Sequence, residues 1–144
     1  MSFPSVRLKR LRQSEPIRKM FQETVLAPAN FIMPLFIRHG KRIRKAIPSM
    51  PGQFQMSVDE AVREAKLAKR LGIPAVILFG IPNKKDEFGS EAFHEIGIIL
   101  IAIRELKDKV PGLIVVADCC FCEYTNHGHC GVVHTGTMYR AHVI

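Results

Sequence analysis

All four cysteines of the chain lie in one stretch, DCCFCEYTNHGHCG, residues 118–131. Thiolate sulfur favours zinc among the metal ions that proteins commonly bind, so this cluster predicts a zinc site. Side chains two positions apart point the same way in extended backbone, and we therefore expect Cys120 and Cys122 to converge on one ion. Cys130 can supply a third thiolate after the turn that contains Gly128.

The number of ligands decides what such a site can do. Three protein ligands leave the fourth position of a tetrahedral zinc ion open to water or substrate, as in catalytic sites, whereas structural sites use four. His127 or His129 could be that fourth ligand, or could instead hydrogen-bond to the ligands. Reduced cysteines that bind no metal are the alternative interpretation.

Two further groups of polar residues follow apolar runs of the sequence. Asp118 either orients ligands and substrate or caps the end of a strand. Lys84 and Lys85 occupy a position where an amine could form a Schiff base, but they lie beside Asp86 and Glu87 in a polar run. Nothing there would desolvate an amine and lower its pKa, so a solvent-exposed loop is the favoured interpretation.

Three apolar runs are predicted to form the strands that position these residues: 31–37 (FIMPLFI), 74–81 (PAVILFGI) and 113–117 (LIVVA). The segment around residues 48–52 is rich in proline and glycine and predicts a loop.

Two helices are predicted between these strands. Ser57 and Glu60 have the spacing of a capping box, and apolar residues recur at helical period from there to Leu71. Ser90 can cap a second helix that runs to about Lys109. Apolar side chains cover nearly the whole circumference of this second helix, which predicts a further layer or a neighbouring subunit against it. They are Ile96, Ile98, Ile99, Leu100, Ile101 and Ile103.

The alternation of strands and helices predicts an α/β fold with parallel strands and right-handed crossovers. Ligand sites in such sheets lie at the carboxyl ends of the strands. Because Asp118 and the cysteines follow the third strand directly, the predicted metal site lies at that end.

The net charge of +8 belongs to the first part of the chain: residues 1–45 hold eleven Lys and Arg against two acids, and the other 99 residues hold ten against eleven. Few aromatic residues accompany these charges, which favours a solvated arm, or one that contacts another subunit, over an arm that binds nucleic acid. The longest apolar run is far below the roughly 20 residues that span a bilayer, and no secretory signal is evident. We therefore expect a cytoplasmic protein with no membrane partner and with reduced thiols.

The stretches MPLFIRHG, IPSMPG, LGIPAVILFGIP, KDEFGSEA and CFCEYTNHGHCG resemble the N-terminal part of the porphobilinogen synthase (5-aminolevulinate dehydratase) family in its zinc-dependent form. The resemblance implies a partial TIM (β/α)8 barrel, with its first three strands and two helices and with an N-terminal arm. It divides the chain into a basic arm (1–30), the barrel portion (31–131) and a divergent C-terminal tail (132–144). It also implies a homo-oligomer, typically an octamer.

The resemblance further implies a reaction. The family joins two molecules of 5-aminolevulinate, with loss of two waters, to give porphobilinogen, a precursor of haem and other tetrapyrroles. Each substrate is held as a Schiff base on a lysine, and a zinc ion on three cysteines positions the second substrate. By position these cysteines are Cys120, Cys122 and Cys130. Cys119 stands where the family usually has a small apolar residue.

The two Schiff-base lysines of the family lie on later strands. The resemblance matches neither of them to a lysine of this chain, whether Lys84, Lys85, Lys107 or Lys109. The sequence therefore predicts an N-terminal fragment of the enzyme that is inactive alone. A small zinc-binding interaction module whose arm contacts nucleic acid, or a non-functional remnant, are the alternatives.

Overall fold

A computed structural model describes residues 8–131, and the predicted tail at 132–144 lies outside the described residues. Five strands form one sheet in the order β2-β3-β1-β4-β5. They are β1 Ile32–Arg38, β2 Arg44–Ala46, β3 Phe54–Met56, β4 Ala75–Ile81 and β5 Ile114–Ala117. The α-helices are α1 Glu15–Met20, α2 Val58–Arg70 and α3 Ile98–Lys109. None of the helices in the described part is long and apolar enough to cross a membrane.

The central strands follow the order of the chain. β1 pairs in parallel with β4, and β4 pairs in parallel with β5. The crossover helices α2 and α3 contact one another, so they cover the same face of the sheet. Successive units that advance in one direction with their helices on one face are typical of a barrel, whereas a doubly wound sheet carries helices on both faces. The predicted α/β fold is confirmed.

Two short strands lie beside the predicted loop around residues 48–52. β3 pairs in parallel with the last part of β1, with Phe36 opposite Gln55, and β2 runs antiparallel to β3. A turn closed by the Ile47 N–H donating to the Gln53 carbonyl oxygen, at 3.0 Å, joins β2 to β3. Three-residue strands are too short to give a recognisable alternation in a sequence, and the proline and glycine between them dominate the pattern.

Both predicted helices form; α2 begins after Ser57 as predicted, whereas α3 begins later than predicted. The Ser57 hydroxyl does not cap α2; it accepts the Ile43 N–H at 2.9 Å and donates to Asp59 at 2.6 Å. Ser57 is fully buried, and its hydrogen bond with Ile43 connects the start of α2 to the segment before β2. The predicted start of the second helix at Ser90 is wrong, because Ser90–Phe93 is a separate 3-10 turn and α3 begins after Gly97.

The hydrophobic core fills the space between the sheet and the two crossover helices. Leu35 and Leu78 point from β1 and β4 towards Ala65 of α2 and towards Ala102 and Leu106 of α3. Phe36 and Phe79 alternate with these positions, lie on the other face of the sheet, and stack with their ring centroids 5.4 Å apart. Leu100 of α3 stays exposed, as does Ile96 just before the helix, so part of the predicted apolar surface has no cover in residues 8–131.

The loop that follows β5 packs back onto β4 through Tyr124. This side chain is buried, and its hydroxyl lies over Gly80. A Cβ atom at Gly80 would overlap with the Tyr124 Oη and would lie 2.8 Å from Cγ1 of Ile99. Only glycine at position 80 therefore lets the loop approach the sheet this closely.

We expect Gly80→Ala to destabilise the fold by about 1–3 kcal/mol, because the added methyl group forces Tyr124 away from β4. Urea unfolding followed by circular dichroism measures this change. Tyr124→Phe removes the hydroxyl that overlaps first, so Gly80→Ala combined with Tyr124→Phe should recover part of the loss. If the double variant loses as much as the sum of the single variants, the contact does not hold the loop in place.

Candidate metal centre

The cysteine loop leaves the sheet at Asp118, whose N–H donates to the Leu78 carbonyl oxygen at 3.1 Å as the last bond of β5 to β4. The chain then turns: the Phe121 carbonyl oxygen accepts the N–H groups of Tyr124 at 2.9 Å and Thr125 at 3.1 Å. The cysteine spacing predicts extended backbone here, and that prediction is wrong beyond Ala117. A turn, rather than strand alternation, brings Cys122 to the same place as Cys120.

Three sulfur atoms converge at this turn. The Sγ of Cys130 lies 3.1 Å from that of Cys120 and 3.0 Å from that of Cys122, and all three lie within 4.8 Å of one another. Zn–S bonds of about 2.3 Å in a tetrahedral site separate sulfur atoms by about 3.8 Å. The thiols need to move apart by less than about 1 Å to hold such an ion, so the three residues fit zinc.

The three thiols differ in their protonation. Hydrogen bonds from the thiols of Cys122 and Cys120 lower the pKa of Cys130 to about 7. The hydrogen bond to Cys130 raises the pKa of Cys120 to about 12 and also raises the pKa of Cys122. When the Cys130 thiol is deprotonated, its sulfur therefore accepts the S–H groups of Cys120 and Cys122. A metal ion must displace these two protons when it binds.

Two carboxylates lie near the Cys120 thiol. Oxygen atoms of Asp118 and Glu123 lie within 4.8 Å of each other and of the Cys120 sulfur. Oε2 of Glu123 is buried and has no hydrogen-bond partner. A buried carboxylate oxygen without a partner is costly, and a nearby cation removes that cost. This orphaned oxygen is a second observation that fits a divalent cation at the loop.

The two histidines of the loop lie outside the group of three thiols. Nδ1 of His127 accepts the His129 N–H at 3.2 Å, and its Nε2 lies 3.4 Å from the Glu87 carbonyl oxygen, to which it can donate. Both ring nitrogens of His127 are thus engaged with backbone groups. The His129 ring stacks on that of His127 with centroids 5.8 Å apart. Cys119 also lies outside the group; it is exposed and borders a cavity of about 300 Å³ beside the start of α3.

A second loop, between β4 and α3, supports the cysteine loop through Asp86. The Asn126 N–H donates to the Asp86 carbonyl oxygen at 3.0 Å, and the Asp86 N–H donates to the Tyr124 carbonyl oxygen at 3.3 Å. The Asp86 carboxylate accepts the N–H groups of Phe88 and Ser90, and the bond from Ser90 chiefly lowers its pKa. The sequence places Asp86 only in a polar run, although an aspartate that accepts a hydrogen bond from the backbone two residues on is a known turn signal.

Thr125 is the other residue of this contact whose role the sequence did not predict. It is buried and forms the bridge opposite Asp86, and its hydroxyl donates to the His129 carbonyl oxygen at 3.0 Å. This bond fixes the return of the chain just before Cys130. Lys84 and Lys85, in the same supporting loop as Asp86, are exposed, in agreement with the prediction of a solvated loop.

A further contact joins the supporting loop to the end of β1. His39 pairs with the Glu91 carboxylate, whose other oxygen accepts the Asn83 N–H at 3.1 Å. The neighbouring Arg38 has a buried Nε without a partner. The ends of β1, β4 and β5 thus all carry polar groups at the edge of the sheet where ligands of parallel α/β folds bind.

Comparison with known proteins gives one family. The family model described as delta-aminolevulinic acid dehydratase matches residues 5–143, including most of the tail that was expected to diverge. The dehydratase of Synechocystis is 49% identical over 136 residues, which are 94% of this chain and 42% of that protein. The Bacillus subtilis dehydratase is 47% identical over 132 residues, covering 92% of this chain and 41% of that protein.

A solved structure of the same family has a similar fold. The crystal structure of the Toxoplasma gondii dehydratase, in complex with the reaction product porphobilinogen, superposes with a TM-score of 0.81 at 32% identity. The match covers 90% of this chain and 37% of that one. The chain thus spans about two fifths of the length of these relatives. Since the family model matches nearly the whole chain and the fold agrees, the chain belongs to the delta-aminolevulinic acid dehydratase family.

Proposed function

We propose that this chain supplies the metal-binding part of a porphobilinogen synthase, which joins two molecules of 5-aminolevulinate with loss of two waters. The observation that carries the proposal is the convergence of three cysteine sulfurs, with separations of 3.0 and 3.1 Å, just beyond the carboxyl end of β5. This is the edge at which parallel α/β folds bind their ligands. Family membership supplies the reaction.

Cys120, Cys122 and Cys130 would hold a zinc ion. A zinc ion bound there would polarise a carbonyl group or lower the pKa of a water molecule. Three protein ligands leave one position for substrate, and neither His127 nor His129 contributes to the sulfur group. Asp118 and Glu123 add negative charge beside the thiols, which favours a divalent cation and would orient a positively charged group of a substrate.

The chain does not supply a Schiff-base amine of its own. Every lysine in residues 8–131 is exposed, including Lys84 and Lys85. An amine that forms a Schiff base needs a desolvated or cationic environment that lowers its pKa. These lysines are solvent-exposed and are therefore not desolvated. Turnover would therefore need lysines from the part of the family fold that this chain does not match.

The N-terminal arm, proposed to extend over residues 1–30, would contact a neighbouring subunit of a homo-oligomer, an octamer by resemblance. Apolar side chains support this: Met20, Phe21, Val25 and Leu26 are all more than half exposed. Exposed apolar groups on a basic segment fit a protein surface better than nucleic acid. We place this oligomer in the cytoplasm, where the thiols stay reduced.

We expect the purified chain to bind a single zinc ion, and Cys130→Ser to weaken that binding by about 100-fold or more. Cys130 contacts both other sulfurs, so its replacement leaves only Cys120 and Cys122 as thiolate ligands and removes the sulfur with which both of them form a hydrogen bond. Competition with a chromophoric chelator, at fixed pH, measures the affinity.

Cys119→Ser is the matched control, since Cys119 adjoins Cys120 but lies outside the sulfur group. Its zinc affinity should equal that of the unmodified chain. Equal losses in the two variants would contradict the assignment of the ligands, as would a loss of zinc in a variant with His127→Ala and His129→Ala.

The zinc-loaded chain, incubated alone with 5-aminolevulinate, should form no porphobilinogen, because it offers no desolvated lysine to hold the substrate. A colorimetric assay for the pyrrole product, with the Synechocystis relative as positive control, measures this. Turnover by the chain alone would show that its own exposed lysines suffice and would refute this part of the proposal.

A further inference from the structure

A cleft lined by basic side chains lies between the last turns of α2 and α3. Its volume is about 620 Å³, which is a size that small-molecule sites commonly have. Five of the seven residues that line this basic cleft carry a positive charge, and none of the seven carries a negative one. The five are Arg63, Lys66, Lys69, Arg70 and Lys109.

The basic cleft lies at the edge of the sheet opposite to the cysteine loop. α2 ends at Arg70, shortly before β4 begins at Ala75, and α3 ends at Lys109, shortly before β5 begins at Ile114. The cleft is therefore near the amino ends of the strands, whereas the cysteines follow the carboxyl end of β5. A ligand in the cleft would take no part in metal binding, so this site is independent of the function proposed above.

The ends of the helices explain only part of this charge. The partial negative charge at the C-terminus of a helix favours cations, but the effect falls off within the last turn. Lys69, Arg70 and Lys109 lie in the last turns of their helices, whereas Arg63 and Lys66 lie before the last turn of α2. Like charges three or four positions apart on a helix repel one another, and Lys66 has such neighbours at positions 63, 69 and 70. An anion between these side chains would remove the repulsion.

The three central cations of the cleft are Lys66, Lys69 and Arg70. All three are exposed, and no ion pair within residues 8–131 includes any of them. Only the two flanking cations, Arg63 and Lys109, pair with a carboxylate. The central three therefore keep their charge available to a ligand.

One of the central cations is held in a fixed position. The Nζ of Lys69 donates to the carbonyl oxygen of Pro111, in the turn that follows α3, so this bond joins the ends of the two helices. An ammonium group has three donors, and two of them remain for a ligand. Because the side chain is already ordered, binding costs less conformational entropy than it would for a free lysine.

The donors of the cleft favour phosphate over other anions. A guanidinium group such as that of Arg70 binds two phosphate oxygens at once, and lysine ammonium groups add point charges. Several free cations in one cleft match an anion that carries several negative charges. Nucleic acid fits less well, because no aromatic residue lines the cleft on which a base could stack.

We propose that the basic cleft binds a small anion with two or more phosphate groups, free in solution. Lys66, Lys69 and Arg70 contact the phosphate oxygens. Arg63 and Lys109, at the two sides of the cleft, add attraction over a longer distance.

Inorganic tripolyphosphate is the probe for this site. Titration of the 144-residue chain, followed by NMR, should shift the amides of residues 69–72 and 110–112 and should saturate at one site per chain. Added salt should weaken the binding, because the cations are exposed. Shifts confined to the residues around Cys120 would show that the probe only removes a bound metal, and would overturn the proposal.

Two matched variants separate binding in the cleft from attraction by net charge. Lys66→Gln combined with Arg70→Gln removes two central cations and should raise the Kd by about tenfold or more. Arg104→Gln combined with Lys107→Gln removes the same charge from exposed positions of α3 outside the cleft, and should leave the Kd within about twofold. Glutamine is a good helix former, so both variants should keep their circular dichroism spectra and their affinity for zinc.

Three results from these variants and from competing ligands would contradict the proposal. Equal weakening in the two variants would show that net charge alone attracts the probe. Citrate that binds as tightly as tripolyphosphate would exclude a preference for phosphate. A mixed-sequence oligonucleotide that binds more tightly than tripolyphosphate, and that Lys66→Gln with Arg70→Gln releases, would assign the cleft to nucleic acid.

Discussion

The close approach of Tyr124 to Gly80 is the contact on which the candidate metal centre depends. It anchors the loop after β5 to the neighbouring strand β4, at a point where any side chain on the strand would push the loop away. The bridge between Asp86 and Thr125 fixes the same loop from the other side. Because the loop is held at both places, Cys120 and Cys122 lie in a tight turn and Cys130 returns to meet them. The sulfur atoms thus owe their convergence to packing and backbone hydrogen bonds outside the cysteines themselves.

The electrostatics of the loop follow from that packing. Two protonated thiols donate to the Cys130 sulfur, and the buried oxygen of Glu123 has no partner beside them. Without a cation, the polar groups of this cluster lack good hydrogen-bond partners. The thiols have only one another, and one carboxylate oxygen has no partner. A divalent ion would replace the protons and would compensate the carboxylates together. The arrangement of thiols and carboxylates therefore fits a divalent cation.

Much of this was predictable from the sequence, and the failures have physical reasons. The strands β1, β4 and β5 and the helix α2 are long enough to show their periodicity, and the cysteine spacing indicated the three sulfurs that converge. β2 and β3 are too short to show a pattern, and Ser57 and Ser90 bond to distant or loop groups rather than cap helices. Residue spacing does not reveal tertiary contacts, and it is through such contacts that Asp86, Thr125 and Glu123 act. The turn at Phe121 explains why the cysteines converge even though the predicted extended backbone does not form.

The central claim is that three thiolates hold a zinc ion with one position left for substrate. X-ray absorption at the zinc edge of the metal-loaded chain tests it most directly. The account predicts three sulfur neighbours at about 2.3 Å and one oxygen or nitrogen neighbour from water or added ligand. A shell of two sulfurs and two histidine nitrogens, or four protein ligands in a closed site, would contradict it.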